Sequence, residues 1–323
     1  MIAQAVSRTL CRNENGMILI RNAENALKMP DHPIHDTESA PARQDHICRI
    51  MSEPNVSISN NSCIITAAAS REGVRAATAQ NGMNYYVDMH AGLLPGMADT
   101  DGRILTEQEA EERLAEYRES NMKMIVAAPY YQPEVCSPQE FLEMRSSKIA
   151  AITEEAQPIR IVGGAVLPFD YCTAHPRELK QFALGDSDFI LVDLPREPLS
   201  ETLCEEISRL RIVSGLCPVA ADIDRCFEIL SPEELIALRK AGILLQISVS
   251  GILRQDYRKL SLYLLANQHA HFLATGSHAF GEPLHFVEAM RIIQRSLPAQ
   301  LYRRIKNNAG MLLSNAEPSA FLE

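Results

Sequence analysis

Two histidines and an aspartate, His90, His278 and Asp222, each stand at or just beyond the end of a short apolar run. Imidazole and carboxylate groups gathered at one place form a common ligand set for zinc, iron or manganese. Such a set holds a divalent ion that can lower the pKa of its bound water toward neutrality. A single histidine in that position is equally a packed, hydrogen-bonded residue, so the chemistry depends on whether the three side chains converge. Cys136 and Cys172 also lie near run ends, but no paired base marks either as a nucleophile.

Convergence has to come from the elements between these residues. Seven short apolar runs read as strands, at 85–90, 124–128, 160–165, 189–193, 217–221, 244–247 and 271–275. Helix starts are written between them in capping chemistry. Thr106 and Glu109 form an S/T-x-x-E box, followed by an apolar stripe of Ala110, Leu114 and Tyr117. Ser137-Pro138 and Ser231-Pro232 set a capping hydroxyl before a proline at the first helical position, where the missing N–H costs nothing. Gly242, after Lys240, marks the end of the helix that starts at Ser231. This alternation predicts an α/β fold with a parallel sheet, either open and doubly wound or closed as a TIM-like barrel. In both, ligands bind beyond the C-terminal ends of the strands, where the candidate residues lie.

Composition narrows the function classes. The chain of 323 residues is 46% hydrophobic and 22% charged, in the ordinary range for globular proteins. Its net charge of −10 provides no basic surface for a phosphate backbone, which excludes nucleic acid as a first expectation, and an anionic membrane surface is disfavoured for the same reason. No apolar run approaches the ~20 residues of a spanning helix, and Arg8 and Arg12 fall where a signal peptide needs its apolar stretch. The eight cysteines contain no C-x-x-C pair and read as reduced residues of a cytoplasmic protein.

The chain divides near residue 83. Residues 1–82 carry eight basic and eight acidic residues, so the whole net charge falls in the remainder. Polar stretches such as 30–44 and 52–62 show neither period, although short apolar runs occur at 17–20 and 64–69. The expectation is a poorly structured N-terminal extension of 1–82, dispensable or lying upstream of the true start at Met83, ahead of a barrel domain of 83–323.

Several stretches resemble one family. Asp88-Met89-His90-Ala91-Gly92-Leu93-Leu94-Pro95-Gly96 is similar to the D-x-H-x-H-x-L-P-G opening of bacterial tyrosine-protein phosphatases of the PHP (polymerase and histidinol phosphatase) superfamily. These are manganese-dependent enzymes encoded with capsule and exopolysaccharide genes. In order, Ala127-Ala128-Pro129 resembles the start of A-T-P-H-H, Gly163-Gly164-Ala165 resembles G-Q-E, and 217–225 resembles P-I-I-A-H-P-E-R. Gln246-Ile247-Ser248 resembles Q-I-T, residues 271–278 resemble H-F-I-A-S-D-A-H, and 307–313 resemble the closing N-N-P-x-x-L-L. The resemblance spans about residues 83–315 and implies a distorted (β/α)7 TIM-like barrel of the PHP type. It also implies a cluster of three metal ions at the strand ends, whose bound hydroxide attacks phosphotyrosine.

Most ligand positions are altered here. His90 and His278 match motif histidines, but the second opening histidine is Gly92, and both histidines of A-T-P-H-H are Tyr130 and Tyr131. The glutamate of G-Q-E is Ala165, the histidine of A-H-P-E-R is Asp222, and the aspartate of S-D-A-H is Gly276. The family's aspartate pair aligns with Ala98-Asp99, or with Asp99 and Asp101 after an insertion. The surviving set of His90, Asp99 or Asp101, Asp222 and His278 is enough for one ion and hardly three. Tyr130 and Tyr131 are expected to fill the vacated space as packing. Arg225 matches a motif arginine and is read either as a phosphate clamp or as a salt-bridge partner of Asp222 or Asp224, while the family's arginine after G-Q-E-I is Leu167. Arg196 and Arg254, in loops after strands, are read as solvated or as receivers of an acidic or phosphorylated peptide.

The resemblance therefore implies a phosphatase relative with activity lost or much reduced, still able to bind the tyrosine-rich tail of a bacterial tyrosine kinase. One alternative is a mononuclear phosphatase, with a manganese ion on His90, Asp222 and His278 and with Asp99 as ligand or base. A second is a nonenzymatic scaffold protein whose N-terminal extension carries the interaction.

Overall fold

The computed structural model describes residues 7–12, 18–23, 85–276 and 284–322. Strands β1 (Ser7–Arg12) and β2 (Ile18–Ala23) form a two-stranded sheet of their own. The rest of the expected 1–82 extension lies outside the described residues, as does His278.

The barrel elements follow in a largely alternating βα order. β3 (Tyr86–Ala91) and β4 (Met122–Ala127) flank α1 (Glu107–Glu119), and α2 (Pro138–Ala156) leads to β5 (Arg160–Gly163) and β6 (Val166–Pro168). α3 (Phe169–Ala174), β7 (Phe189–Asp193), α4 (Glu201–Ser214), β8 (Cys217–Ala220), α5 (Pro232–Lys240) and β9 (Leu244–Ser248) come next. α6 (Val249–Leu253), α7 (Gln255–Ala266), β10 (Phe272–Ala274), α8 (Phe286–Ser296), α9 (Ala299–Leu313) and α10 (Ser319–Leu322) complete the chain.

All strand pairs from β3 onward are parallel, in two sheets of order β3-β4-β5 and β10-β9-β8-β7-β6. Isolated parallel bridges join the sheet edges, Ala91 to Gly276 on one side and Tyr130 to Val166 on the other. The strands thus form a ring, the distorted seven-position α/β barrel that the family resemblance implies, where the apolar runs alone left an open sheet equally possible. One position differs from expectation. The run 160–165 does not make a single strand: its chain leaves the first sheet at Gly163 and joins the second at Val166, so β5 and β6 are two halves of one barrel position.

Burial explains why these runs are strands. β7, β8 and β9 are buried almost throughout, as a sheet covered on both faces requires. Their apolar residues join Val87, Met89, Val126, Phe272 and the C-terminal Phe321 in one core. Three helices start with full capping boxes, Thr106 with Glu109, Ser137 with Glu140 and Ser231 with Glu234. Cys172, Cys217 and Cys226 are buried and free, whereas Cys136 and Cys204 are part exposed and free.

Candidate functional site

His90, near the C-terminal end of β3, is fully buried, and its Nδ1 lies 3.1 Å from Gln246 Oε1 and 3.5 Å from Asp222 Oδ1. The orientation of the Gln246 amide follows from its other contacts. The backbone N–H of Asp222 donates to Gln246 Oε1 (2.8 Å), and Gln246 Nε2 donates to Asp222 Oδ1 (2.9 Å). Because Nδ1 faces an acceptor, it must carry the proton, which leaves Nε2 of the neutral ring as a bare lone pair. That Nε2 is buried and has no hydrogen-bond partner among the described residues. Burial disfavours the charged ring, but Asp222, Gln246 and Asp88 together outweigh it and raise the imidazole pKa above its ordinary value.

Asp222 follows β8 in a left-handed conformation, with φ 45°. Gly276, two residues beyond β10, also has positive φ, and a Cβ there would stand 2.6 Å from Asp222 Oδ1. The two residues therefore depend on each other: Asp222 occupies the volume that a side chain at 276 would need.

A second carboxylate, Asp88, holds the barrel closed beneath His90. It accepts from Thr275 Oγ1 (2.6 Å), Tyr117 Oη (2.7 Å) and the backbone N–H groups of His90 and Thr275 (both 3.2 Å). Burial raises its pKa against these four donors. It ties β3 to α1 and to the end of β10.

Across the mouth, the loop after β3 forms a tight turn. Asp99 Oδ1 accepts the backbone N–H groups of Asp101 (2.9 Å) and Arg103 (2.8 Å), so Asp99 organises this turn. The turn presents Thr100 and Asp101 to Arg225, whose guanidinium donates to Thr100 Oγ1 and Asp101 Oδ1. Arg196 Nη2 donates to the same Asp101 oxygen at 3.1 Å. The partner of Arg225 is thus Asp101, where the sequence left Asp222 and Asp224 open. Asp224 instead accepts from the backbone N–H and hydroxyl of Ser248, both at 2.7 Å. Arg254 pairs with Asp256 at 2.7 Å and stacks on Tyr257.

Sequence reasoning passed over Asp193 as a site residue, although a carboxylate closing the apolar run 189–193 was a signal. Burial, with Asp222 and Asp101 adding to it against Arg225 and His90, raises its pKa to about 6. Tyr130 donates its hydroxyl to Asp193, and burial followed by that carboxylate raises the phenol to about 12. Tyr131 is packed away in an aromatic cluster with Phe141, Tyr171 and Phe182, at centroid distances of 5.1, 5.0 and 4.9 Å.

These residues do not fit a cluster of metal ions. Gly92, Tyr131, Ala165 and Gly276 offer no side-chain donor to the mouth, and one Asp222 oxygen is engaged by Gln246 and His90. Among the described residues no group of three or more His, Cys, Asp or Glu is arranged to hold an ion. His90 Nε2 is a buried lone pair without a partner among the described residues, and His278 lies outside them.

A parallel α/β barrel with its polar residues at the strand ends defines the class: a TIM-like barrel with its candidate site at the mouth. Residues 86–314 match the model of the family described as capsular polysaccharide synthesis, CpsB/CapC, and the chain belongs to that family. Among solved structures it is similar to a chain from the work on YwqE from Bacillus subtilis and CpsB from Streptococcus pneumoniae, described as unique metal-dependent tyrosine phosphatases. That match has 21% identity, covers 72% of this chain and 95% of the other, and has a TM-score of 0.62. A histidinol phosphate phosphatase from Lactococcus lactis, solved with zinc, L-histidinol and phosphate, matches at 14% identity, 66% and 93% coverage and TM-score 0.40. A lactonase from Listeria monocytogenes matches at 10% identity, 69% and 95% coverage and TM-score 0.41. No curated protein matches the chain significantly. Among the described residues no helix is long and apolar enough to cross a membrane.

Proposed function

We propose that this chain is a capsule-synthesis protein descended from a manganese-dependent tyrosine phosphatase. Its multi-ion hydrolytic centre has been dismantled, and its role is to recognise phosphorylated tyrosine rather than to hydrolyse it. The observation that carries this reading is the coupled replacement at the mouth. Asp222 fills the space beside Gly276 and is bound by Gln246 and His90, so ligand positions of the family have been refilled by a self-contained hydrogen-bond network. Phenol, alanine and glycine at other ligand positions extend the same pattern. The partner on this reading is the tyrosine-rich tail of a bacterial tyrosine kinase, met in the cytoplasm.

The full chain, assayed with a phosphotyrosine peptide and with nitrophenyl phosphate in added manganese, is expected to show no metal-dependent turnover, while the phosphorylated peptide binds more tightly than its unphosphorylated form. Robust manganese-dependent turnover would refute the proposal.

A mononuclear phosphatase is favoured by one observation, the buried and unpartnered Nε2 of His90, with its tautomer fixed for ligation by Gln246. On that reading the purified protein carries one equivalent of metal by elemental analysis, lost on His90→Ala with His278→Ala. Metal-free protein with unchanged peptide binding removes this reading and leaves the first.

A further inference from the structure

The contact between Asp101 and the two arginines has a geometry unlike an ordinary surface ion pair. Arg196 follows β7 and Arg225 follows β8, so two separate loops deliver guanidinium groups to one carboxylate oxygen at the barrel mouth. Thr100 adds a hydroxyl to the same arrangement on the Arg225 side. Two planar cations converging on one oxygen are the usual receptor for a phosphoryl group or another oxyanion. Here the oxygen comes from the protein's own loop.

We propose that Asp101 is an internal occupant of a two-arginine receptor for phosphomonoesters, and that a phosphoryl ligand binds by displacing it. The inference rests on the phosphotyrosine-recognition reading above and adds the site and its autoinhibitory contact.

Three features make Asp101 the group that leaves. Its side chain is 50% exposed, as is nearly half of Arg196, whereas Arg225 is only 10% exposed and stays behind as the fixed wall of the receptor. The turn does not depend on the Asp101 carboxylate. Asp99 holds it through the N–H groups of Asp101 and Arg103, and backbone bonds run from Asp99 to Arg103 (2.9 Å) and from Gly102 to Asp99 (3.0 Å). Rotation of one side chain therefore opens the receptor while the loop keeps its shape. Finally, the mouth already holds Asp99, Asp193 and Asp222, so an added dianion is admitted only in exchange for a negative charge. Displacement keeps both arginines paired and leaves Asp101 in water, where an ionised carboxylate is well solvated.

The test is binding of inorganic phosphate and of a phosphotyrosine peptide to the full chain, by calorimetry, for the wild type, Asp101→Asn and Asp101→Asn with Arg196→Ala. Removal of the internal competitor is expected to tighten binding of both probes about tenfold, the scale of one charge-assisted contact, and the added Arg196→Ala should abolish the gain. Equal gains for the two probes assign recognition to the phosphoryl group itself. A larger gain for the peptide also supports the proposal and adds contacts beyond the phosphoryl group. A folded Asp101→Asn protein that binds neither probe more tightly than the wild type overturns the proposal, with Asp101→Ala as the second variant should the asparagine chain fail to fold. Failure of the functional reading is separate: it is seen as manganese-dependent turnover in the wild type, whatever Asp101→Asn does to binding.

Discussion

At the scale of single residues, the mouth is a set of mutual dependences. Gly276 has φ of 79° and faces the Asp222 carboxylate at a distance no Cβ tolerates. Gly276→Ala therefore combines left-handed strain with overpacking, and we expect it to destabilise the protein by about 2–4 kcal/mol in urea denaturation. If the clash with Asp222 is the main cause, Asp222→Gly in the same chain recovers part of that loss. Additive losses in the double variant would show that backbone strain alone is responsible. The sequence revealed His90 and Asp222 as strand-end residues, and the structure does bring them within 3.5 Å. It did not reveal Gln246 as the group between them, because the amide comes from a position 156 residues beyond His90 and carries no charge pattern to flag it. The Asp101–Arg225 pairing was hidden for a related reason. A tight turn decides which of several nearby carboxylates meets the arginine, and turn geometry is set by Asp99 accepting two backbone N–H groups.

At the scale of elements, local chemistry was legible and long-range pairing was not. Capping boxes involve residues three apart, so Thr106, Ser137 and Ser231 could be read directly, and all three hydroxyls accept the backbone N–H three residues on. Ser231→Ala should cost about 1 kcal/mol, since it strands a backbone donor in the first turn of α5. Unfolding by urea would measure it as a shift in midpoint at constant slope, and a change below about 0.3 kcal/mol would mean that water or Glu234 replaces the cap. The break between β5 and β6 was not legible. Gly163, Gly164 and Ala165 continue an apolar run, and nothing local separates a strand that stays in one sheet from one that changes sheets. The switch is visible only in the partners, with Gly163 paired to Ala127 on β4 and Val166 paired to Leu191 on β7. Arg145 from α2 crosses this break and donates to the Gly164 carbonyl at 2.8 Å.

At the scale of the whole barrel, the two ends respond to acid in opposite directions. At the mouth, Asp193 holds its proton up to about pH 6, so the folded state binds more protons than the unfolded one and stability falls as pH rises through that range. At the opposite end, where β10 begins, burial and then Arg239 depress His269 to about 4 and His271 to about 3. The His271 geometry agrees, because its Nδ1 accepts the Leu245 N–H at 3.1 Å and so must be unprotonated. An unfolded histidine takes up its proton near pH 6.5, so these two contribute stability that is lost as pH falls below that value. Between pH 6.5 and 5 the pair should lose up to about 3 kcal/mol, with the more exposed His269 giving less than His271 because solvent screens it, and Asp193 should return about 1 kcal/mol. Asp88, whose pKa burial also raises, acts in the same direction as Asp193, so the two histidines leave a net loss of up to about 2 kcal/mol, a large fraction of an ordinary domain's stability. Urea unfolding at the two pH values tests the balance. In the variant His269→Asn with His271→Asn, whose amide oxygen at 271 can still accept from Leu245, the acid loss should vanish and the Asp193 contribution should make the protein slightly more stable at pH 5 than at 6.5. If the double variant loses as much stability on acidification as the wild type, the acid sensitivity does not reside at this end of the barrel.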